Sequence, residues 1–339
     1  MEQRASLGFF MALVANRPVR PVAALNFLQF SGARQGRSMP GVALRVATST
    51  PSAPTSAATD LDLVDVDANL LHPDLASDIE LHIQASSKVA SSAGVTQFVV
   101  PGSTVEDSRA ALDLANRKPN VVFPTAGVHP YHVESCGALE EAMAAIATLA
   151  AAKDVRCVGE CGLDFTEGFP PADSQLPWFE RQVQLACELK KPLFLHERGA
   201  FDAFSEVLRR YDTSHGLPPC LVHCFTGTPE EVAAYLDMGF FVSVAGGICR
   251  EKNGKLLRDA VKLIPLDRLM VETDAPYLGF KGCRKGYDNP KKQNPNVPSA
   301  LPAVIQVAAD CLGLPFDQVA RATAENSRGF FGITERSAS

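Results

Sequence analysis

From residue 60 onward the chain alternates between short, nearly unbroken apolar runs and longer segments with helical spacing. The runs are LDLVDV (61–66), VTQFVV (95–100), VVFPTAGV (121–128), VRCVGE (155–160), PLFLHE (192–197), PCLVHC (219–224), FFVSVA (240–245) and DRLMVE (267–272). Apolar continuity, rather than strict alternation, predicts parallel strands covered on both faces. Segments 76–93, 104–117, 138–152, 173–190, 200–210, 229–238 and 254–263 predict the intervening helices, and 300–312 a last one. Within 173–190, Leu176, Phe179, Val183 and Ala186–Cys187 recur close to the i, i+3/i+4 spacing of one buried face. Strands and helices alternating in this way over 60–335 predict an α/β chain folded as one (β/α)8 TIM barrel, a fold of ~250 residues. The alternative, a doubly wound open sheet, lacks an obvious dinucleotide glycine fingerprint.

Residues 1–59 differ in kind. They hold Arg4, Arg17, Arg20, Arg34, Arg37 and Arg45, no lysine and Glu2 as the lone acid, and they end in TSTPSAPTSAAT. An Arg-rich, Ser-rich, acid-poor leader predicts a disordered extension, with an organellar transit peptide as its favoured role. That reading expects a mitochondrion or plastid; without it, the expectation is cytoplasmic. A secretory segment fits less well, because Arg17 and Arg20 directly follow the apolar run Leu7–Ala15. No apolar stretch approaches the roughly 20 residues needed to span a bilayer, so no membrane partner is expected. The nine cysteines show no disulfide framework and no CxxC zinc pattern, which predicts free thiols in a reducing compartment.

The chain carries 32 Lys and Arg against 38 Asp and Glu, a formal −6. Because the leader takes six of the arginines and one acid, the remainder is more acidic than the whole. A protein coating duplex DNA nonspecifically should be basic. Any nucleic-acid contact here must be local or assisted by bound cations.

Polar groups appear where the apolar runs stop. Glu160 ends the fourth run, His196 the fifth and His223 the sixth, and Asp274 follows the eighth. A barrel gathers its strand C-termini into one cup. Two imidazoles and two carboxylates gathered there predict a divalent metal site, since clustered carboxylates without a cation would repel. Singly, a histidine at the end of an apolar run is more often a hydrogen-bonded structural group. Mixed nitrogen and oxygen donors suit Zn²⁺ or Mn²⁺, whereas Mg²⁺ prefers oxygen. His72 and His82 read as surface histidines, and Asp164 follows Glu160 too closely to continue the strand. The basic run Lys281, Arg284, Lys285, Lys291 and Lys292, interleaved with Phe280 and Tyr287, follows the last strand. Loops there often bind phosphate, and the rings could stack on bases; the alternative is a solvated basic loop.

GVHPYH (127–132), GECGLDF (159–165), Gln175–Phe179–Gln182–Leu185, HCFTGT (223–228), IPLDRLMVETDAPYL (264–278) and Thr323–Asn326–Phe330 together resemble the TatD family of metal-dependent deoxyribonucleases, from about residue 62 to 332. The resemblance implies a TIM barrel of the metal-dependent hydrolase type. It also implies hydrolysis of nucleic acid with one or two divalent ions, Mg²⁺ first and Mn²⁺ or Zn²⁺ as alternatives. Glu160, His196, His223 and Asp274 match the family's metal ligands. His129 and His132 match its rim segment, Arg198 a basic residue beside the strand-five histidine, and Asp164 a rim loop near the metal. Two departures stand out. Where many barrel hydrolases carry H-x-H after the first strand, this chain has Asp67-Ala68-Asn69, in which Asp67 can still ligate or can serve only as a loop hydrogen-bonder. Asn296-Val297-Pro298 replaces a family Asn-Glu-Pro segment.

The expected activity is therefore cleavage of DNA phosphodiester bonds, at ends or in single strands, by a metal-activated water. Asp274 would accept the proton beside Glu160, and His129, His132, Asp164, Arg198, Arg284 and Lys285 would contact substrate. RNA is a further substrate, and the oligomeric state is left open, a monomer being compatible. The rivals are an amide or ester hydrolase acting on a small molecule or an aminoacylated end, and a metal-stabilised scaffold without turnover.

Overall fold

Each apolar run becomes a strand: β1 (Leu61–Asp65), β2 (Ala93–Val100), β3 (Val122–Pro124), β4 (Val158–Asp164), β5 (Leu193–Arg198), β6 (Cys220–Val222), β7 (Phe241–Val244) and β8 (Leu269–Val271). The chain is seen here in a computed structural model that describes residues 61–87, 93–252, 254–285 and 295–334, without the side chains of 213–215. The leader 1–59, with its expected transit peptide, lies outside the described residues, as do Tyr287, Lys291 and Lys292. All strands pair in parallel, in the orders β1-β2-β3 and β4-β5-β6-β7-β8. Single parallel bridges, Ala126↔Val158 and Ala68↔Ala275, join the two sheets at both seams. The fold is an α/β barrel of the TIM type.

The strands have two buried faces, and the two faces feed different clusters. Val64, Val99, Phe123, Phe194, Leu221 and Met270, with Cys157 just before β4, form an inner apolar cluster against which Phe241 packs. Most other buried strand residues belong to a larger cluster shared with the helices. This division is what period-two side-chain alternation produces in a closed sheet.

The helices are α1 (Pro73–Ala76), α2 (Ile79–Ser86), α3 (Val105–Arg117), α4 (Leu139–Ala150), α5 (Ala172–Leu189), α6 (Phe201–His215), α7 (Pro229–Asp237), α8 (Lys255–Val261), α9 (Leu301–Leu312) and α10 (Phe316–Phe331). The single helix expected over 76–93 is instead two short ones: His72 caps Pro73–Ala76, a second helix follows from Ile79, and β2 already begins at Ala93. The sequence reading also ends too early, because α10 lies beyond the last expected helix. It binds the strand entrances. Asn326 donates to the Leu266 and Leu269 carbonyls at 2.8 Å each, and Arg328 to that of Asp62 at 2.6 Å. From there Phe330 and Phe331 enter the inner cluster. Among the described residues no single helix is long and apolar enough to cross a membrane.

Helix α5 does more than cover the sheet. Gln175 and Gln182 lie on its buried face, where glutamine is misplaced unless both ends of its amide are satisfied. Gln182 accepts from Val128 N–H at 2.7 Å and donates to Val128 C=O at 2.9 Å. Gln175 does the same for Asp164, at 2.8 and 2.6 Å. The helix thereby fixes the backbone beside His129 and at the end of β4.

Gly162 is a second constraint. It pairs with His196 across β4 and β5 at φ +152°, and a Cβ there would be driven into the His196 carbonyl. Two stability outcomes are expected. Gln182→Leu leaves both Val128 groups buried and unpaired, at ~1–3 kcal/mol each, so the urea midpoint should fall with little change in slope. Gly162→Ala should lower the thermal midpoint as well, because the clash is with backbone and no rotamer relieves it.

Candidate metal centre and pocket

Gly162 lets β4 continue past Glu160, and this corrects the sequence reading. Glu160 is the third residue of β4 rather than its end, and Asp164 is the strand's last residue rather than a rim loop. The carboxylate is consequently sunk inside the barrel mouth. Its Oε1 lies 2.8 Å from His223 Nε2 and 3.2 Å from both His196 Nδ1 and His129 Nε2. The opposite nitrogen of His223, Nδ1, faces Asp67 Oδ2 at 3.2 Å and Glu272 Oε1 at 3.5 Å. His196 presents Nε2 to Asp164 Oδ2 at 3.0 Å. The His223 ring is stacked on Phe194, 4.6 Å between centroids, so the inner cluster sets its plane directly.

Beneath these groups a buried clamp holds the β1–β8 seam. Asp65 accepts from Thr273 N–H at 2.8 Å and from its hydroxyl at 2.6 Å. Asp274 N–H then donates to the Asp67 carbonyl at 3.0 Å, and Asn69 Nδ2 spans Asp67 Oδ1 (3.0 Å) and Asp274 Oδ1 (3.3 Å). Asn296, in the place of the departed family segment, donates to Thr273 C=O at 2.9 Å and so steadies the same turn.

The electrostatics follow from burial and pairing. Burial alone would raise the Glu160 carboxyl, yet the His129 and His223 imidazoles outweigh it and hold the group well below the usual range. Burial would lower His223, but Glu160, Asp67 and Glu272 push it well above its ordinary value. His196 is raised too: burial opposes this, and Asp164 and Glu160 prevail. His129 is lowered by burial. Burial, followed by repulsion from Asp67 and Glu272, drives Asp274 well up. Asp67 is pushed up to about 8, chiefly by burial.

Two groups have the proximity that a cation needs. His129, Glu160 and His196 form one, and Asp67, Glu160 and His223 the other, with all ligand atoms of each group within 4.8 Å of one another. Glu160 is common to both. Three buried atoms facing each other, Asp67 Oδ2, His223 Nδ1 and Glu272 Oε1, have no hydrogen-bond partner. Such atoms are costly unless something satisfies them, and a divalent ion suits this nitrogen and oxygen donor set. The residues present therefore fit a metal.

His129, Glu160, His196 and His223 of these groups line a pocket of about 700 Å³, with Asp67 buried behind them. Glu160, His196, His223 and Asp274 all line it, with Asp274 outside both three-residue groups and joined to them through Asn69. His129, His132, Asp164 and Arg198 also line it. The oxygens of Asp164 are engaged by His196 and by Thr166 N–H at 2.9 Å. Arg284 and Lys285 are not among the lining residues, and Arg284 donates to the Pro295 carbonyl of its own loop at 3.0 Å. Among the described residues the arginines of the pocket are Arg198 and Arg250. Phe280 packs against the core. His82, read as a surface residue, is buried on α2, whereas His72 caps α1.

Sequence reasoning passed over Glu272, Asp65 and Thr273, along with Arg250, Tyr131 and Tyr277. Glu272 and Asp65 had a signal, an acid inside an apolar run; Tyr131 and Tyr277 sat inside GVHPYH and IPLDRLMVETDAPYL, and Arg250 had none.

The chain can now be set beside known proteins. A family model described as TatD related DNase matches residues 64–332. The protein named 3′-5′ ssDNA/RNA exonuclease TatD from Pantoea ananatis is 38% identical over 271 residues, 80% of this chain and 100% of that one. The protein of the same name from a Rahnella species is 38% identical over 247 residues, 73% of this chain and 91% of its own. Among solved structures, YJJV, a TatD homologue from Escherichia coli K12, superposes with a TM-score of 0.70 at 25% identity, covering 80% of this chain and 98% of that chain. A TatD-family hydrolase from Entamoeba histolytica, at 23% identity and a TM-score of 0.69 over 81% of this chain and 100% of its own, shares the fold. The chain belongs to the TatD related DNase family.

Proposed function

We propose that this protein is a metal-dependent exonuclease that shortens single-stranded DNA, and RNA as well, from the 3′ end. The observation that carries the proposal is the Glu160 carboxylate, which lines an open pocket and is shared between His129–His196 on one side and Asp67–His223 on the other. The activity and polarity are those named for the relatives at 38% identity.

In this reading Glu160, His196 and His223 hold the metal, with Asp67 completing one group and His129 the other. A shared Glu160 suits two ions. A bound divalent cation would supply Lewis acidity toward a phosphoryl oxygen and make water a better nucleophile near neutral pH. The remaining roles belong to side chains. Asp274 accepts the proton: its carboxyl lines the pocket beside the metal groups, and burial raises it above its ordinary value. Asn69, 3.3 Å from Asp274 Oδ1, keeps that oxygen turned toward Asp67. Arg198 and Arg250 at the pocket wall, with His132, hold phosphate oxygens and oppose their developing charge. Asp164 orients His196 from behind, as carboxylates behind metal-ligating histidines do.

The test is direct. Incubated with 3′- or 5′-labelled single-stranded DNA in Mg²⁺ or Mn²⁺, the full chain should release the 3′ label first and be inert in EDTA. His223→Ala should abolish shortening, and Asp274→Asn should lower turnover by ~10²-fold or more while still binding metal. No shortening by metal-loaded protein, together with hydrolysis of an aminoacyl ester, would shift the activity to the ester or amide class.

Metal uptake should also be proton-linked. Asp67 (up to about 8) and His223 (well above its ordinary value) carry protons at pH 6 in the metal-free site and must lose them to ligate. Affinity for Mn²⁺ should therefore rise with pH up to about 8, by roughly tenfold per unit for each proton displaced. Calorimetry in buffers of different ionisation enthalpy measures both quantities. With imidazoles in the set, Mn²⁺ should bind more tightly than Mg²⁺.

A further inference from the structure

Tyr131 and Tyr277 are large, and they are left in solvent at a place where the core has no use for them. Their exposures are 56% and 51%, and both line the pocket above the metal groups. Each is braced by a ring set nearly perpendicular to it. Tyr131 stands 5.1 Å from His132 at 89° and 5.4 Å from Phe169 at 77°, and Tyr277 stands 5.4 Å from His72 at 75°. Bracing of this kind limits the rotamers of a side chain while leaving much of its surface open, which reduces the entropy lost when something flat settles on it.

Their positions in the chain place them on two sides of the chemistry. Tyr131 lies in the turn Pro130–His132, whose first flank is His129, a member of the His129–Glu160–His196 group. Tyr277 lies three residues beyond Asp274, and its N–H donates to the Asp274 carbonyl at 2.7 Å. Both rings thus share one pocket with the metal groups, one tied in sequence to His129 and the other to Asp274.

We propose that Tyr131 and Tyr277 are the base-binding subsites of this enzyme, each stacking one unpaired nucleobase, one on either side of the scissile phosphate. The inference rests on the nuclease reading above and names what recognises its substrate. Two consequences follow from the chemistry of stacking. A base in a duplex is already covered by its neighbours, so rings that receive two adjacent bases separately accept only a strand that unstacks across the cut. A ring face also meets every base and no 2′-hydroxyl, so the subsites tolerate sequence and do not separate DNA from RNA. The described cations of the loop after β8 are not needed for this grip, since Arg284 and Lys285 do not line the pocket.

The test places 2-aminopurine, whose fluorescence is quenched by stacking, at the last or the penultimate nucleotide of a single strand. Each strand is mixed rapidly with the full chain in Mg²⁺. Wild type should quench both probes at once. Tyr131→Ala should lose the quench at one of the positions and Tyr277→Ala at the other, with Tyr131→Phe and Tyr277→Phe restoring it. In parallel, KM for shortening should rise roughly 5- to 150-fold in each alanine variant, the range of one base–aromatic stack. An abasic residue at the matching position should remove that variant's disadvantage. Quenching that survives both alanine variants, or a KM penalty that persists on the abasic strand, overturns the proposal. Quenching without any shortening by wild type would leave the stacking subsites standing and remove the nuclease reading instead.

Discussion

The structure turns on one buried oxygen. Glu160 Oε1 is met by three imidazoles within 3.2 Å at the floor of the barrel mouth. Moving a carboxylate into such a place is expensive unless positive charge comes with it. The surroundings supply more negative charge as well: Asp67 and Glu272 face the far side of His223, and Asp274 stands behind Asn69. Protons on the histidines and carboxyls offset part of this in the metal-free protein. Divalent ions would do so more completely, at a place where Asp67 Oδ2 and His223 Nδ1 face each other at 3.2 Å without a well-formed hydrogen bond. The feature that makes the site unfavourable when empty is the same feature that gives it affinity for a cation.

Such a site works only if its members cannot relax away from each other, and the scaffold prevents this from three directions. From below, Phe331 lies 6.2 Å from Phe194, and Phe194 stacks on His223, so α10 and the inner cluster support one imidazole in series. From the side, α5 holds Val128 and Asp164 through two glutamine amides, which fixes the approach of His129 and, through Asp164, that of His196. At the seam, Asp65 and Thr273 tie β1 to β8 and so set Asp67 against Asp274. The replacement of H-x-H by Asp67-Ala68-Asn69 is intelligible in this frame. Asp67 still reaches His223, while Asn69 bridges two carboxylates that would otherwise repel.

Much of this was legible in the sequence, for a physical reason. Parallel strands buried on both faces must be apolar throughout, so all eight registered as runs, and a polar residue terminating a run had to be facing something particular. The misses are equally physical. β4 outruns its apolar stretch because Gly162 lets it pair with β5 as far as Asp164↔Arg198, and no hydrophobic pattern reports a strand extended by glycine. Helix α10 buries Ala320, Thr323, Ala324 and Ser327 between Val319 and Phe330, so small and polar residues conceal its stripe. Glu272 was overlooked inside VETDAP because Asp274 explained the motif, although Glu272 is the acid that faces His223. Surface rings such as Tyr131 carry no periodic signal, since nothing in the core dictates them.

The rim resolves a tension left by composition. An acidic chain, with a pI near 5.7, should be a poor partner for a polyanion, and counterion release cannot supply much affinity where few basic residues meet phosphate. The described pocket offers Arg198 and Arg250 for that purpose. Attraction must then come from terms insensitive to the protein's net charge. Bound cations act only within the cup, and aromatic faces act on bases irrespective of the backbone. Both reward a strand end that inserts and unstacks, and neither rewards a duplex lying along the surface. Acidity is thus compatible with the proposed nuclease and contributes to its selectivity, because long-range repulsion is overcome only by a substrate flexible enough to reach the floor.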